Sequence, residues 1–120
     1  MSENVIKTKS FNFALRIIKL FQFLNQEKKE FVLSKQLLRS GTSIGALVRE
    51  SEQAESKKDF IHKLAIAQKE ANETDYWLEL LFQSDYLNQT QFQSIKSDII
   101  EINKISASII ITTKQKLATK

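Results

Sequence analysis

The chain lacks the residues that several classes of protein require. It has no cysteine, which excludes disulfide bonds and thiolate metal sites, and we expect it to reside in the reducing cytoplasm. It has no proline and only two glycines, which leaves little material for tight turns or β-hairpins. No apolar run approaches the ~20 residues of a membrane span. The polar N-terminal segment MSENVIKTKS has no apolar run of the kind found in signal peptides, so we expect none.

The remaining composition is typical of one globular domain covering residues 1–120. Apolar residues make up 42% of the chain and charged residues 27%, unlike a disordered protein. The net charge is +4, from 18 basic and 14 acidic residues. This balance permits nucleic-acid binding, but many basic proteins bind nothing anionic, so charge alone does not indicate a function.

Apolar residues recur at helical spacing in four blocks, which predicts four helices. The second block continues until about Ala54. Ser56 with Asp59, and Asn88 with Gln91, are predicted to cap the third and fourth helices. Short links force neighbouring helices to run antiparallel, so we predict an all-α fold: an antiparallel up-down-up-down four-helix bundle without a sheet. The predicted inward faces include Phe13 and Ile17, Leu37 and Ile44, Leu64 and Ala71, and Ile95 and Ile102.

Both glycines lie in the middle of the second predicted helix. Gly41 and Gly45 each cost ~1 kcal/mol relative to alanine in such a position. Their spacing puts them on one face, where a neighbouring helix can approach closely. We expect that neighbour to be the third helix, because Ala67 and Ala71 supply a matching surface of small side chains.

Several helices carry a second apolar row that a monomeric bundle does not need. Phe11, Leu15 and Ile18 form such a row on the first helix, and Ile100 and Ile111 belong to one on the fourth. One interpretation is that these rows widen the core. We favour the other, that they form the interface of a homo-oligomer, because aligned apolar rows on several helices exceed what one small core can absorb.

Two constellations of polar residues have catalytic or metal-binding alternatives. Glu70 and Glu73 share a face of the third helix and could act as an acid–base pair, but we favour a polar network with Arg39 of the second helix. We predict contact between the second and third helices through this network, so Arg39→Ala should destabilise the fold strongly. Asp59 and the single histidine, His62, have the carboxylate-x-x-His spacing of one half of a di-iron site, and no second such pair exists in the sequence. We therefore expect no enzyme, no cofactor and no metal.

Charge is distributed unevenly along the predicted bundle. Its topology brings both termini and the second-to-third link to one end, with eight basic against five acidic residues, whereas the opposite end has three of each. Such an end can contact backbone phosphates without reading sequence. Besides Lys120, its basic residues are the candidate nucleic-acid contacts Lys7, Lys9, Arg49, Lys57, Lys58, Lys114 and Lys116.

Two segments resemble a known family. QLLRSGTSIGA (residues 36–46) and KKDFIHKLAIAQKEANETDYWLELL (residues 57–81) are similar to the second and third helices of the bundle proteins first noticed in intervening sequences of bacterial large-subunit rRNA genes. KSFNFALRIIKL and DYLN, at residues 9–20 and 85–88, fit more loosely. The resemblance implies a homopentamer of four-helix bundles without an established catalytic activity. Relatives often have asparagine where this chain has Leu47.

Distant relatives in this family include the accessory protein of diversity-generating retroelements, which partners a reverse transcriptase and nucleic acid. Our leading hypothesis is therefore a non-catalytic oligomeric scaffold that binds RNA or DNA through its basic end. The main alternative is a structural oligomer that docks a protein partner, such as a reverse transcriptase, without touching nucleic acid. A small-molecule-binding bundle is third.

Overall fold

Four long helices account for most of the chain. The computed structural model describes the backbone of residues 2–119 and the side chains of residues 4–119. The helices are α1 (Ser2–Gln26), α2 (Leu33–Ser51), α3 (Lys57–Gln83) and α4 (Gln89–Ala118). Residues 2–119 contain no strand, so the predicted all-α class is confirmed.

The helices form a square bundle in chain order. Links of six, five and five residues join them, and each helix packs against the next. α4 also contacts α1, whereas the diagonal pairs of described residues do not approach within 8 Å between Cα atoms. The bundle measures 53 × 22 × 20 Å. The up-down-up-down arrangement predicted from the short links is therefore confirmed.

Apolar side chains from all four helices meet along the bundle axis. Phe13 and Ile17 of α1, Ile44 of α2 and Leu78 of α3 are almost completely buried. Each such side chain stabilises the fold by about 1.5–3 kcal/mol relative to an exposed one. The helical period of the sequence predicted this core correctly.

The two glycines allow a neighbouring helix to pack closely against α2, and that helix is α1 rather than α3. A Cβ atom on Gly41 would fall 2.8 Å from Cγ1 of Ile17, and one on Gly45 would fall 3.2 Å from the carbonyl oxygen of Ser10. Our expectation that the small residues Ala67 and Ala71 of α3 face these glycines was wrong. Periodicity puts the glycines on one face, but it does not say which neighbouring helix that face meets.

α2 and α3 are instead joined by buried hydroxyl groups. The Oγ atom of Ser40 and the Oγ1 atom of Thr74 lie 2.9 Å apart, and both residues are completely buried. Thr74 also donates a hydrogen bond of 2.8 Å to the carbonyl oxygen of Glu70 one turn earlier. The hydroxyl groups are thus satisfied inside the protein, where an unpaired one would be costly.

The predicted caps of the last two helices are present. Asn88 and Gln91 form a complete capping box, with hydrogen bonds of 2.8 and 2.9 Å. Ser56 accepts a hydrogen bond of 3.0 Å from the N–H of Asp59. The Asp59 carboxylate accepts from the N–H of Glu55 rather than of Ser56, so this box is not reciprocal. α2 ends at Ser51, three residues before the expected end.

An acidic residue in the link before α2 caps the start of this helix, and the sequence patterns did not single it out. Glu30 is 7% exposed, and its carboxylate accepts hydrogen bonds from the N–H groups of Val32, Leu33 and Ser34. These donors have no partner within the helix. The link reaches this position through Lys29, whose φ angle is 54°.

Candidate nucleic-acid interface

An ion pair between α3 and α4 fixes which parts of the two helices lie side by side. The Nζ atom of Lys96 lies 2.7 Å from a carboxylate oxygen of Asp75 and 3.6 Å from one of Glu79. Lys114 and Lys57 each lie 18 residues from the Lys96–Asp75 pair along these antiparallel helices. The start of α3 and the end of α4 are therefore level at one end of the bundle.

Four lysines at this end form no ion pair with the described residues. Lys57 and Lys58 form the first turn of α3, and Lys114 and Lys116 lie near the end of α4. All four are exposed, and none has a carboxylate within 4 Å among the described residues. The helix dipole does not stabilise the cations of Lys57 and Lys58 in the first turn of α3, so these two charges stay available to an anion. We call these four residues the lysine cluster.

The other three candidate cations make contacts within the chain. Lys7 pairs with Glu52 at 3.3 Å, and Lys9 pairs with Glu101 of α4 at 3.0 Å. The guanidinium group of Arg49 lies 5.2 Å from the ring centroid of Phe11, a cation–π distance. Lys7 and Lys9 are partly exposed and can still contact a phosphate, but a carboxylate already balances part of their charge. Arg49 is exposed and has no carboxylate within 4 Å among the described residues. The predicted Lys120 lies outside the described residues.

Acidic residues near the lysine cluster are largely engaged as well. Glu50 pairs with Lys63 at 3.3 Å, and Glu52 with Lys7. Asp59 bonds the backbone at the start of α3. Glu3 is one of the five acidic residues that the sequence assigns to this end, and its side chain lies outside the described residues. Glu55 is exposed, lies two residues before Lys57 and forms no ion pair with the described residues, so it offsets part of the charge of this end. The lysine cluster and Arg49 carry the positive charge of this end that has no carboxylate partner among those residues.

A cleft of about 500 Å³ opens at the same end, between the start of α1, the end of α2 and the start of α3. Its floor is formed by the buried side chains of Ile6, Val48, Leu64 and Ile109. The ring of Phe60 is half-buried and forms part of the wall, and Lys57 lies at the lining. The sequence patterns did not reveal this cleft, because it depends on how three helix ends are staggered.

The predicted polar network between α2 and α3 lies at the surface. Arg39 contacts Glu73 and lies 3.4 Å from a carboxylate oxygen of Glu70, while the Trp77 indole N–H donates a hydrogen bond of 3.0 Å to Glu73. The Arg39 side chain is 50% exposed. The predicted contact between α2 and α3 is therefore present, but the guanidinium is not buried in the single chain, where water screens it.

The predicted interface residues of α1 and α4 are exposed in the single chain. Their exposures range from 39% to 57%, for Phe11, Leu15, Ile18, Ile100 and Ile111. Phe11 lines a groove between α1 and α2, and Ile100 lines one between α3 and α4. Because the helices contact one another in the order α1, α2, α3, α4 and back to α1, these grooves lie on opposite faces of the bundle.

His62 is exposed, and the described residues contain no group of three acidic or histidine side chains able to hold a metal ion. Among the aromatic residues, Tyr86 of the α3–α4 link packs against the core, whereas Phe31 and Tyr76 are exposed. Leu47 is half-buried against the core. None of the four helices described has an apolar stretch long enough to cross a bilayer.

These features define a small antiparallel four-helix-bundle protein with a cationic end. The chain belongs to the family described as 23S rRNA-intervening sequence protein, whose model matches residues 2–108. The resemblance seen in the sequence is therefore confirmed.

A solved structure is closely similar. It is the crystal structure of a protein of unknown function from the S23 ribosomal protein family of Bacteroides thetaiotaomicron. The two sequences are 61% identical, and the TM-score is 0.91 over 92% of this chain and 98% of the other. No curated protein matches the chain at a significant level.

Proposed function

We propose that this chain is a non-catalytic, oligomeric scaffold that binds RNA or DNA through the lysine cluster. The observation that carries the proposal is that four exposed lysines share one end of the bundle without carboxylate partners among the described residues. Lysine side chains bind phosphates as point charges, which positions a nucleic acid without reading its bases. The interface should therefore show strong salt dependence and little sequence preference.

The exposed apolar rows support the oligomeric part of the proposal. The groove at Phe11 and the groove at Ile100 lie on opposite faces, so one copy can present its α1–α2 face to the α3–α4 face of the next. Repetition of such a head-to-tail contact gives a ring when the rotation closes. The family resemblance suggests five subunits. A ring would repeat the lysine cluster around its axis and contact several phosphates at once.

The test is a titration of fluorescently labelled RNA and DNA of mixed sequence at several salt concentrations. Lys57→Glu with Lys58→Glu should weaken binding, because the pair reverses two charges at the lysine cluster. Lys28→Glu with Lys29→Glu is the matched control, since it makes the same charge change on exposed lysines at the opposite end. Circular dichroism establishes that both variants keep the helical fold.

A second candidate function is docking of a protein partner, such as a reverse transcriptase, without contact to nucleic acid. The observation that favours it is the exposure of Phe31 and Val32, 52% and 73%, at the end opposite the lysine cluster. The ultraviolet absorbance ratio of protein purified at low salt separates the two functions. Nuclease-sensitive absorbance at 260 nm supports the first, and its absence supports the second.

A further inference from the structure

The cleft beside the lysine cluster has the size and lining of a ligand site. Its volume of about 500 Å³ lies within the range of roughly 300–1,000 Å³ typical of small-molecule sites. Its floor is aliphatic, and Phe60 contributes an aromatic ring that is only half-buried. An apolar cleft next to unpaired cations suits a ligand that has a flat apolar part and an attached anion.

We propose that this cleft accepts an unpaired nucleobase of a single-stranded RNA or DNA, whose phosphates lie on the lysine cluster. The inference rests on the proposed function and adds the kind of nucleic acid that the site prefers. A base offers a π-face to the ring of Phe60, and Lys57 at the lining is placed beside the attached phosphate. In a duplex the bases are paired and stacked, so a duplex can reach the lysines but not the cleft.

The polar groups around the cleft indicate how selective it is. The Ser51 hydroxyl donates a hydrogen bond of 2.6 Å to the carbonyl oxygen of Val48, and the Ser56 hydroxyl oxygen accepts from the N–H of Asp59. The one carboxylate in the lining, Glu52, is paired with Lys7. The exposed amide of Asn4 is also in the lining and makes no side-chain hydrogen bond with the described residues. Because most of the polar groups are already engaged, the site should hold the face of a base and offer few groups that read its edge. We therefore expect a preference for single strands with little discrimination among bases.

The first experiment uses the wild-type protein and three labelled probes of equal length. They are a mixed-sequence single strand, the corresponding blunt duplex and an abasic strand that has the same phosphates but no bases, and RNA and DNA versions of the single strand are compared. One stacked base typically strengthens binding by roughly 5- to 150-fold. The base-bearing single strand should therefore bind at least about fivefold more tightly than the abasic strand.

Two variants locate the base in the cleft. Phe60→Leu removes the aromatic face but keeps an apolar side chain, and Ala54→Phe places a bulky side chain in the cleft lining from the α2–α3 link. Either variant should reduce binding of the single strand to the level of the abasic strand, and binding of the abasic strand should not change. Phe31→Leu makes the same chemical change on an exposed ring at the opposite end and should leave both affinities unaltered. Melting curves establish whether each variant folds. If Phe60→Leu does not fold, the binding measurements with Ala54→Phe decide whether the base lies in the cleft.

The outcomes distinguish this inference from the proposed function. If all three probes bind with equal, salt-dependent affinity, the cleft does not hold a base and the lysine cluster remains the phosphate site. If the preference for bases persists in both cleft variants, the base binds elsewhere and the inference is wrong. If no probe binds at low salt, both this inference and the proposed function are wrong.

Discussion

The carboxylate of Glu30 accepts a hydrogen bond of 2.7 Å from the backbone N–H of Ser34, and the Ser34 hydroxyl donates one of 2.9 Å to the carbonyl oxygen of Glu30. The same carboxylate accepts hydrogen bonds of 2.9 Å from Val32 and Leu33. This reciprocal pair holds the α1–α2 link against the first turn of α2. It does so with a glutamate that lies before the helix rather than with a conventional capping residue.

Removal of this carboxylate should destabilise the bundle. Glu30→Ala leaves three N–H donors at the start of α2 without their acceptor, and we expect a loss of about 2 kcal/mol or more in the free energy of unfolding. Glu27→Ala, at an exposed position three residues earlier, should change it by about 0.5 kcal/mol or less. Urea denaturation of both variants measures the difference. Equal effects would show that Glu30 does not cap α2.

The polar network at Arg39 should contribute little to stability. The side chain is half-exposed, and measured surface ion pairs contribute about 0–1 kcal/mol. Arg39→Ala should therefore lower the free energy of unfolding by about 1 kcal/mol or less, and high salt should reduce the difference. Denaturation at two salt concentrations is the measurement. A loss of several kcal/mol would indicate that these charges are covered in the assembled protein.

The ion pair between α3 and α4 should make stability depend on alkaline pH. The hydrogen bond of Lys96 with Asp75, together with the charges of Asp75 and Glu79, raises the pKa of Lys96 above its ordinary value of 10.5, against an opposing effect of burial. A raised pKa means that the folded protein holds this proton more tightly than the unfolded chain. The resulting stabilisation is present below pH 10.5 and is lost as the pH rises through the higher pKa of the folded state.

Comparison of the wild type with Lys96→Met isolates this effect from the titration of other groups. The difference in their free energies of unfolding should be constant between pH 8 and about 10 and should shrink at higher pH. A difference that stays constant through the alkaline range would contradict the assignment.

The exposed row on α1 should hold subunits together. Leu15 is 46% exposed in the single chain, so Leu15→Glu should cost little within a subunit but should place a charge in the proposed interface. Light scattering should give a multiple of 13.9 kDa for the wild type and a smaller mass for the variant, with helical content retained. Val5→Glu changes a residue that is similarly exposed on the same helix outside this row and serves as the control. A wild-type mass of 13.9 kDa would contradict oligomerisation.

The fold could be predicted from the sequence because helical periodicity identifies which residues point inward. Phe13, Ile17 and Ile44 were recognised in this way, and the capping box at Asn88 was recognised from residue types at fixed spacing. Such local signals do not specify which neighbour an inward face meets. For that reason our prediction of the helix that packs against Gly41 was wrong, although the predicted close approach is present.

The candidate site was less predictable because its electrostatics depend on the stagger between helices. The count of charges at one end treated Lys7 and Lys57 alike, but Lys7 has a carboxylate partner and Lys57 has none among the residues that the structure describes. Pairing across helices requires the register that the Lys96–Asp75 contact reveals. The cleft at Phe60 likewise results from the ends of three helices and has no signature in any one segment.

The salt dependence of nucleic-acid binding, measured for the wild type and for Lys57→Glu with Lys58→Glu, tests the central claim most directly. The wild type should bind mixed-sequence RNA and DNA at low salt, and the logarithm of the association constant should fall linearly with the logarithm of the salt concentration. The double variant should bind more weakly, with a slope smaller by about one for each lysine lost, while Lys28→Glu with Lys29→Glu behaves like the wild type. Absence of binding by the wild type at low salt, or an unchanged slope in the double variant, would contradict the assignment of the lysine cluster as the phosphate-binding site.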